Sequence, residues 1–157
     1  MKDRKAIIGI GNDLRGDDGI GPLIIARLKH EPFYSEQGID LLDVGPGPLS
    51  ALPFVESHKH NLILDCALFG KEPGYFTFIK PGDIPGQEVS FTSVHGFSAR
   101  ELVRMGLELY PEQEITILGV QPKAMVLGTP ISDAVLARVP DILQAIKEFV
   151  GRRWLGG

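Results

Sequence analysis

Short apolar runs bounded by Gly, Pro and Asp recur along the whole chain. Such runs are typical of strands that are buried on both faces of a sheet. The predicted strands are residues 5–10, 39–44, 61–65, 74–79 and 115–120. The loop between the third and fourth strands is too short for a helical crossover, so the fourth strand is predicted to pair antiparallel or to lie at an edge.

Between several of these strands, apolar residues recur at the spacing of an α-helix. The predicted helices are residues 19–30, 48–57, 98–109 and 132–150. Ser132 or Asp133 is the candidate N-cap of the last helix. Strands that alternate with helices favour a mainly parallel sheet covered on both faces, so the predicted fold class is α/β with five strands. Residues 78–98 lack helical periodicity and are expected to form a functional or mobile loop. The tail 151–157 is expected to be frayed, with Trp154 either packed back or exposed.

Length and charge narrow the possible functions. A chain of 157 residues allows one well-buried core, so a single domain over residues 1–157 is expected. The 16 Lys plus Arg against 20 Asp plus Glu give a net charge of −4 without any basic run, which argues against nucleic-acid binding. No apolar stretch approaches the roughly 18 residues of a membrane span. The start of the chain lacks a signal-peptide pattern, so we expect a cytoplasmic protein without membrane insertion.

Cys66 is the single cysteine, which excludes an internal disulfide framework. Its position within NLILDCAL favours a buried and inert thiol over a reactive one.

The stretch GIGNDLRGDDGIGP, which begins at Gly9, follows the first predicted strand. Gly9 and Gly11 match the first two glycines of a dinucleotide-binding fingerprint, but Leu14 occupies the third position. Carboxylates also crowd the turn that would receive a pyrophosphate, and no Gly-Lys-Ser or Gly-Lys-Thr of a P-loop follows. A nucleotide-binding Rossmann domain is therefore a disfavoured alternative, which tight binding of NAD or ATP would revive.

Asp17 and Asp18 stand where the first predicted helix begins. Helix capping and the helix dipole account for one carboxylate at that position. Two adjacent side chains point in different directions, so one can cap while the other faces the crevice above the strand ends, where doubly wound sheets place their ligands. Spacing alone leaves the structural and the functional interpretation open.

Asp65 and His95 are further candidates for the same crevice. Asp65 ends the apolar run NLIL and is either a loop cap or a site residue, and His95 precedes a predicted helix, where a structural histidine is the alternative. If the predicted strands are correct, Asp18, Asp65 and His95 converge at one end of the sheet. Two carboxylates and one imidazole with vacant positions suit Zn, Ni, Fe or a similar divalent ion.

Other candidate groups compete poorly. His58 and His60 alternate with Lys59 and are expected on a solvated loop, and His30 falls at the end of the first helix, where a cation suits the dipole. The sequence has no Gly-x-Ser-x-Gly elbow, no His-Glu-x-x-His and no convincing Cys/His pair. A side-chain nucleophile is therefore missing.

Four segments, in order along the chain, resemble the [NiFe]-hydrogenase maturation endopeptidases, and the resemblance extends over nearly the whole chain. The segments are the opening GIGNDLRGDDGIGP turn, LILDCA for the strand that ends in Asp, SVHGFSARELV for the His loop, and ITILGVQPKAM for the late strand exit. Any one of them alone is a weak signal, but the combination at suitable separations is specific.

The resemblance implies a single three-layer α/β/α domain in which Asp18, Asp65 and His95 correspond to the family's metal-binding and catalytic residues. Family members remove a short C-terminal extension from the hydrogenase large-subunit precursor after nickel insertion, and the nickel in that precursor is thought to be what they recognise. The resemblance thus implies a nickel carried by the substrate, for which Zn or Cd substitutes in vitro, and an enzyme that is a monomer when free. In metal-assisted hydrolysis, water is the nucleophile, so the lack of a side-chain nucleophile is consistent with this resemblance.

The resemblance further assigns substrate contact to the loop after the second strand, which makes Asp43 a substrate-binding candidate. That loop reads DVGPGPLS, and Val44 and the two prolines depart from the family's common pattern. A function from a different class fits the same ligand set: a non-catalytic, metal-sensing, chaperone-like module for hydrogenase assembly. A loss of mass from nickel-loaded precursor separates the enzyme from the module.

Overall fold

A computed structural model describes residues 3–83, 89–91 and 96–156 and contains a mixed sheet. Its strands are β1 (Lys5–Gly9), β2 (Ile39–Asp43), β3 (His60–Leu68), β4 (Phe76–Ile79), β5 (Ser90–Phe91) and β6 (Glu114–Val120). The main sheet has the order β2-β1-β3-β6-β4, in which the first four strands are parallel and β4 is antiparallel to β6. The predicted α/β class is confirmed. The short β5, which pairs with the end of β3, is a sixth strand that the sequence did not predict.

The edge position predicted for β4 is confirmed, and its antiparallel partner is β6 rather than β3. Gln121, directly after β6, explains this pairing. Its backbone accepts a hydrogen bond from the N–H of Gly74 at 2.8 Å and donates one to the carbonyl of Tyr75 at 2.7 Å. Its side-chain Oε1 accepts a bond from the backbone N–H of Phe69 at 2.7 Å. The loop between β3 and β4 is thereby fixed across the end of β6.

Six α-helices connect the strands among the described residues. They are α1 (Ile20–Leu28), α2 (Pro32–Glu36), α3 (Leu52–Ser57), α4 (Ala99–Leu109), α5 (Asp133–Leu136) and α6 (Val139–Phe149). The short α2 was not predicted, and the helix predicted over 132–150 is two helices. Pro140 explains the break, because a proline without an N–H is tolerated in the first turn of a helix but not in its interior.

Two apolar cores cover the two faces of the sheet, as a three-layer α/β/α domain requires. Ile7 of β1 packs with residues of α1 and α6, whereas the next residue, Ile8, packs with residues of α3 and α4. This alternation follows from the two-residue period of a strand. Each strand therefore separates the helix layers, and its carboxyl end opens to the loops between them.

The end of the chain packs against the domain. Residues Val150–Trp154 extend α6 as a π-helical turn, and the ring of Trp154 meets that of Phe149 edge-on at 5.5 Å. The fraying expected for residues 151–157 does not occur up to Trp154. Within the described part of the chain, every helix falls short of the length and apolar character that a membrane crossing needs.

Candidate functional site

The opening turn is built around a close approach of α1 to the sheet. A Cβ atom at Gly21 would lie 2.5 Å from the carbonyl oxygen of Ile10. A Cβ at Gly11 would lie 1.9 Å from the carbonyl oxygen of Asp18, and Gly11 has a φ of 149° that disfavours other residues. These glycines allow tight packing between the turn and the helix. They thereby bring the backbone of residues 11–12 against Asp18.

Asp18 lies in a 3₁₀ turn, Gly16–Gly19, that leads into α1, and it is 4% exposed. Its Oδ2 accepts a hydrogen bond from the backbone N–H of Asn12 at 3.0 Å. Burial raises the pKa of the Asp18 carboxyl, while the Asn12 N–H and the nearby charge of Arg15 oppose that rise. No side-chain cap begins this turn or α1. Asp18 therefore does not serve as a helix cap.

Asp65 lies within β3 and is 2% exposed. Its Oδ1 accepts a hydrogen bond from the backbone N–H of Cys66 at 2.9 Å. Its Oδ2 is buried and has no hydrogen-bond partner among the described residues. Burial, followed by the negative charge of Asp18, raises the pKa of Asp65 well above its ordinary value. An acceptor oxygen of this kind is unfavourable unless a proton, a donor or a cation reaches it.

Asp18 and Asp65 line one pocket of about 250 Å³ at the carboxyl ends of the parallel strands. Asn12, Arg15 and Pro46 line the same pocket. The carboxyl end of a parallel sheet is where α/β proteins place ligands. Sequence reasoning missed Asn12 and Arg15, although both lie within the stretch GNDLRGDD that it singled out.

The two carboxylates suit a divalent cation. Asp65 offers an oxygen without a hydrogen-bond partner among the described residues, and a cation would offset the burial and the repulsion from Asp18 that raise the pKa of this carboxyl. His95, the third predicted ligand, lies outside the described residues, which resume at Gly96. Among the described residues, no three His, Cys, Asp or Glu side chains are grouped closely enough to hold a metal ion. A metal ion held by this pair would need further ligands from outside the described residues.

Asp17 has a different environment from that of Asp18. It is fully buried, and its carboxylate accepts hydrogen bonds from the backbone N–H groups of Lys123 at 2.7 Å, Ala124 at 3.2 Å and Ser132 at 2.7 Å. The hydroxyl of Ser132 donates a fourth at 2.9 Å. Asp17 thus fixes the loop that follows β6 rather than capping a helix.

Cys66 is 1% exposed, and its thiol donates a hydrogen bond to the carbonyl oxygen of Asp17 at 2.9 Å. Burial raises the pKa of the thiol, and the charges of Asp65, Asp18 and Asp17 raise it further. A thiolate is the nucleophilic form of cysteine. The environment of Cys66 therefore opposes nucleophilic chemistry, in agreement with the inert thiol that the sequence favours.

Asp43, the predicted substrate contact, is exposed at the end of β2. Its Oδ1 accepts a hydrogen bond from the backbone N–H of Gly45 at 3.0 Å, which stabilises the turn after the strand. The residues of that turn reach the pocket, because Pro46 lines it. Asp43 itself is not among the residues that line the pocket.

The expectation that His58 and His60 lie on a solvated loop is wrong. His58 is 2% exposed, with its Nε2 2.6 Å from Oδ2 of Asp40 and its Nδ1 2.7 Å from the carbonyl oxygen of Phe54. The hydrogen bond from His58 holds the pKa of Asp40 below its ordinary value. His60 begins β3 and contacts the carboxylate of Glu114. Both histidines lie at the amino end of β3, away from the pocket.

Comparison with known proteins extends these observations. The family model of hydrogenase maturation proteases matches residues 23–148. A putative hydrogenase maturation protease of Methanocaldococcus jannaschii is 30% identical over 151 residues, covering 92% of this chain and 86% of that protein. A [NiFe] hydrogenase maturation protease from Thermococcus kodakarensis has a crystal structure with a TM-score of 0.74 and 29% identity, covering 95% of this chain and 93% of that one. A hydrogenase-maturating endopeptidase of Escherichia coli, at 20% identity, shows likeness of fold alone, with a TM-score of 0.76 and coverage of 96% and 94%.

Proposed function

The chain belongs to the hydrogenase maturation protease family, and from this membership we propose that it removes the C-terminal extension of a [NiFe]-hydrogenase large-subunit precursor after nickel insertion. Membership makes the protein a peptidase that acts in hydrogenase maturation. The nickel dependence, the terminal extension and the large-subunit precursor are the proposed refinements.

The bare Oδ2 of Asp65, buried in the same pocket as Asp18, is the observation that carries the nickel part of the proposal. A metalloprotease with its own ion holds that ion by at least three protein ligands. Asp18 and Asp65 supply two, and a set of three would still leave coordination positions open for a metal that the precursor already holds. We assign His95 as the third ligand and Asp43 as a substrate contact.

Hydrolysis of the precursor needs a group that takes a proton from the attacking water. Asp18 and Asp65 are suited to this task, because burial raises the pKa of both carboxyls above the ordinary value and so makes each carboxylate a stronger base. The water adds to the carbonyl carbon of the scissile bond while one of its protons passes to a carboxylate, and the carboxylic acid so formed gives that proton to the leaving amine as the C–N bond breaks. Nickel carried by the precursor would bring the scissile bond to this position and polarise it.

The test compares nickel-loaded and nickel-free precursor. The enzyme is first stripped with a chelator that is then removed, and cleavage is followed by the mass of the precursor. We expect the loaded precursor to lose its extension and the nickel-free precursor to remain intact, without added metal. If the stripped enzyme cuts only after its own zinc or nickel is restored, the ion belongs to the enzyme and the nickel-sensing part of the proposal is wrong.

An Asp65→Asn variant is the matched control, because it removes the charge with little change of shape. It should leave the loaded precursor uncut. Binding of loaded precursor without any mass change by the wild-type protein would instead favour the non-catalytic metal-sensing module.

A further inference from the structure

Three large apolar side chains are exposed on two neighbouring loops. Leu14 is 65% exposed, Val126 56% and Leu127 70%. The backbone N–H of Gly128 donates a hydrogen bond of 2.7 Å to the carbonyl oxygen of Leu14, so the two loops run side by side. We call Leu14, Val126 and Leu127 the apolar platform. Exposed apolar side chains grouped in this way are typical of interaction surfaces.

The platform is held in place by its backbone. A turn from Val126 to Thr129 is closed by a hydrogen bond of 3.1 Å from the N–H of Thr129 to the carbonyl of Val126, and Gly128 in this turn has a φ of 85°. Further bonds of 3.0 Å join the N–H of Gly16 to the carbonyl of Thr129 and the N–H of Asp17 to that of Ala124. The four bonds accepted by the Asp17 carboxylate fix the two ends of the same loop. A surface fixed in advance loses little entropy when it binds.

The platform is continuous with the pocket. Asn12 lines the pocket, and its side-chain oxygen accepts a hydrogen bond from the N–H of Leu14 at 2.9 Å. Arg15 also lines the pocket, and its Nη2 donates to the carbonyl oxygen of Met125 at 3.2 Å. A protein whose backbone enters the pocket beside Asp18 therefore meets the apolar platform next.

We propose that the apolar platform is the docking surface for the folded part of the hydrogenase precursor, which contacts it through apolar side chains. The inference rests on the proposed function, because it takes the precursor as the substrate. Docking at this surface orients the scissile bond over Asp18 and Asp65. Asp17 joins the turn that carries Asp18 to the loop that carries Val126 and Leu127.

The experiment measures initial rates against the concentration of nickel-loaded precursor for the wild type, for Leu127→Lys and for the double variant Leu14→Lys/Leu127→Lys. A lysine ammonium placed in an apolar interface loses its hydration without gaining a partner, which costs on the order of tenfold or more in affinity. We expect KM to rise about tenfold in Leu127→Lys and further in the double variant, with kcat kept. Leu109→Lys is the matched control, because Leu109 is 55% exposed at the end of α4, on the opposite side of the domain from the pocket. It should behave as the wild type.

Unchanged KM in the double variant overturns the inference while leaving the proposed function intact. A wild type that never cuts the precursor overturns the proposed function instead. Binding of the precursor measured by calorimetry then tests the docking surface, since equal affinity of the wild type and the double variant excludes it.

Sedimentation of the free protein tests whether a second copy of this chain occupies the platform. A dimer that the double variant dissociates would overturn the inference, whereas a monomer agrees with it. If either lysine variant unfolds, Leu127→Gln replaces it in the same measurements.

Discussion

Asp17 and Asp18 are adjacent in the chain, yet their carboxylates serve different neighbours. The carboxylate of Asp17 accepts four hydrogen bonds from residues 123, 124 and 132. That of Asp18 accepts one from Asn12 and lines the pocket that it shares with Asp65. Asp17 therefore stabilises the fold through buried hydrogen bonds, whereas the carboxylate of Asp18 faces the pocket and is available for chemistry.

This difference predicts that the same substitution affects stability at position 17 and activity at position 18. Asp17→Asn places an amide NH₂ against N–H and O–H donors, so the free energy of unfolding should fall by about 2 to 4 kcal/mol. Asp18→Asn should change stability little and abolish processing. Urea denaturation and cleavage of loaded precursor measure the two effects. Equal losses of stability in the two variants would contradict the distinction.

The raised pKa of Asp65 predicts a pH-dependent stability. Unfolded aspartate titrates at about 3.9, whereas burial and the charge of Asp18 keep the folded carboxyl protonated to higher pH. The folded state thus binds more protons within this window, and its stability falls as pH rises from about 4 through the folded pKa. The side chain of Asp65→Asn cannot titrate. The free energy of unfolding of this variant should therefore exceed that of the wild type by about 1 kcal/mol or more at neutral pH. Denaturation curves at pH 4.5 and 7.5, recorded with a chelator, check this. A variant advantage that is the same at both pH values would contradict it.

Two histidines predict a contrast between function and stability. His95→Ala should abolish processing while leaving the folded protein stable, because the proposal gives His95 a ligand role in the crevice. His58→Ala should lower the free energy of unfolding by about 2 kcal/mol, since it removes a buried ring bonded to Asp40 and Phe54. Processing per folded His58→Ala molecule should stay normal. Thermal unfolding and cleavage assays separate the two roles, and an unfolded His95→Ala variant would support a structural histidine there.

The burial of the Cys66 thiol predicts that a variant without this thiol stays active. Cys66→Ala removes a buried side chain and its bond to Asp17, so stability should fall by about 1 kcal/mol while processing of loaded precursor continues. The folded wild type should also resist alkylation at neutral pH, because burial raises the pKa of the thiol. A folded Cys66→Ala variant without activity would require a thiol nucleophile.

The sequence by itself determined the α/β class, the parallel strands and the four segments typical of the family. These features depend on local periodicity and on residue types at fixed spacings, which the chain displays directly. The expectation that Asp17 and Asp18 have separate roles also came from spacing, since adjacent side chains point in different directions.

Only the tertiary structure decided which partner each polar group has. Asp17 bonds to residues more than a hundred positions later in the chain, so no local pattern could distinguish it from Asp18. The segment ESHKHN predicts a solvated loop position for His58, but packing buries this side chain against Asp40. The bare oxygen of Asp65 arises in the same way, because burial and the approach of Asp18 depend on how β1, β3 and the first turn pack together. Long-range packing depends on the whole core. This packing gives the Asp17 carboxylate a structural role and makes the Asp18 carboxylate a candidate ligand.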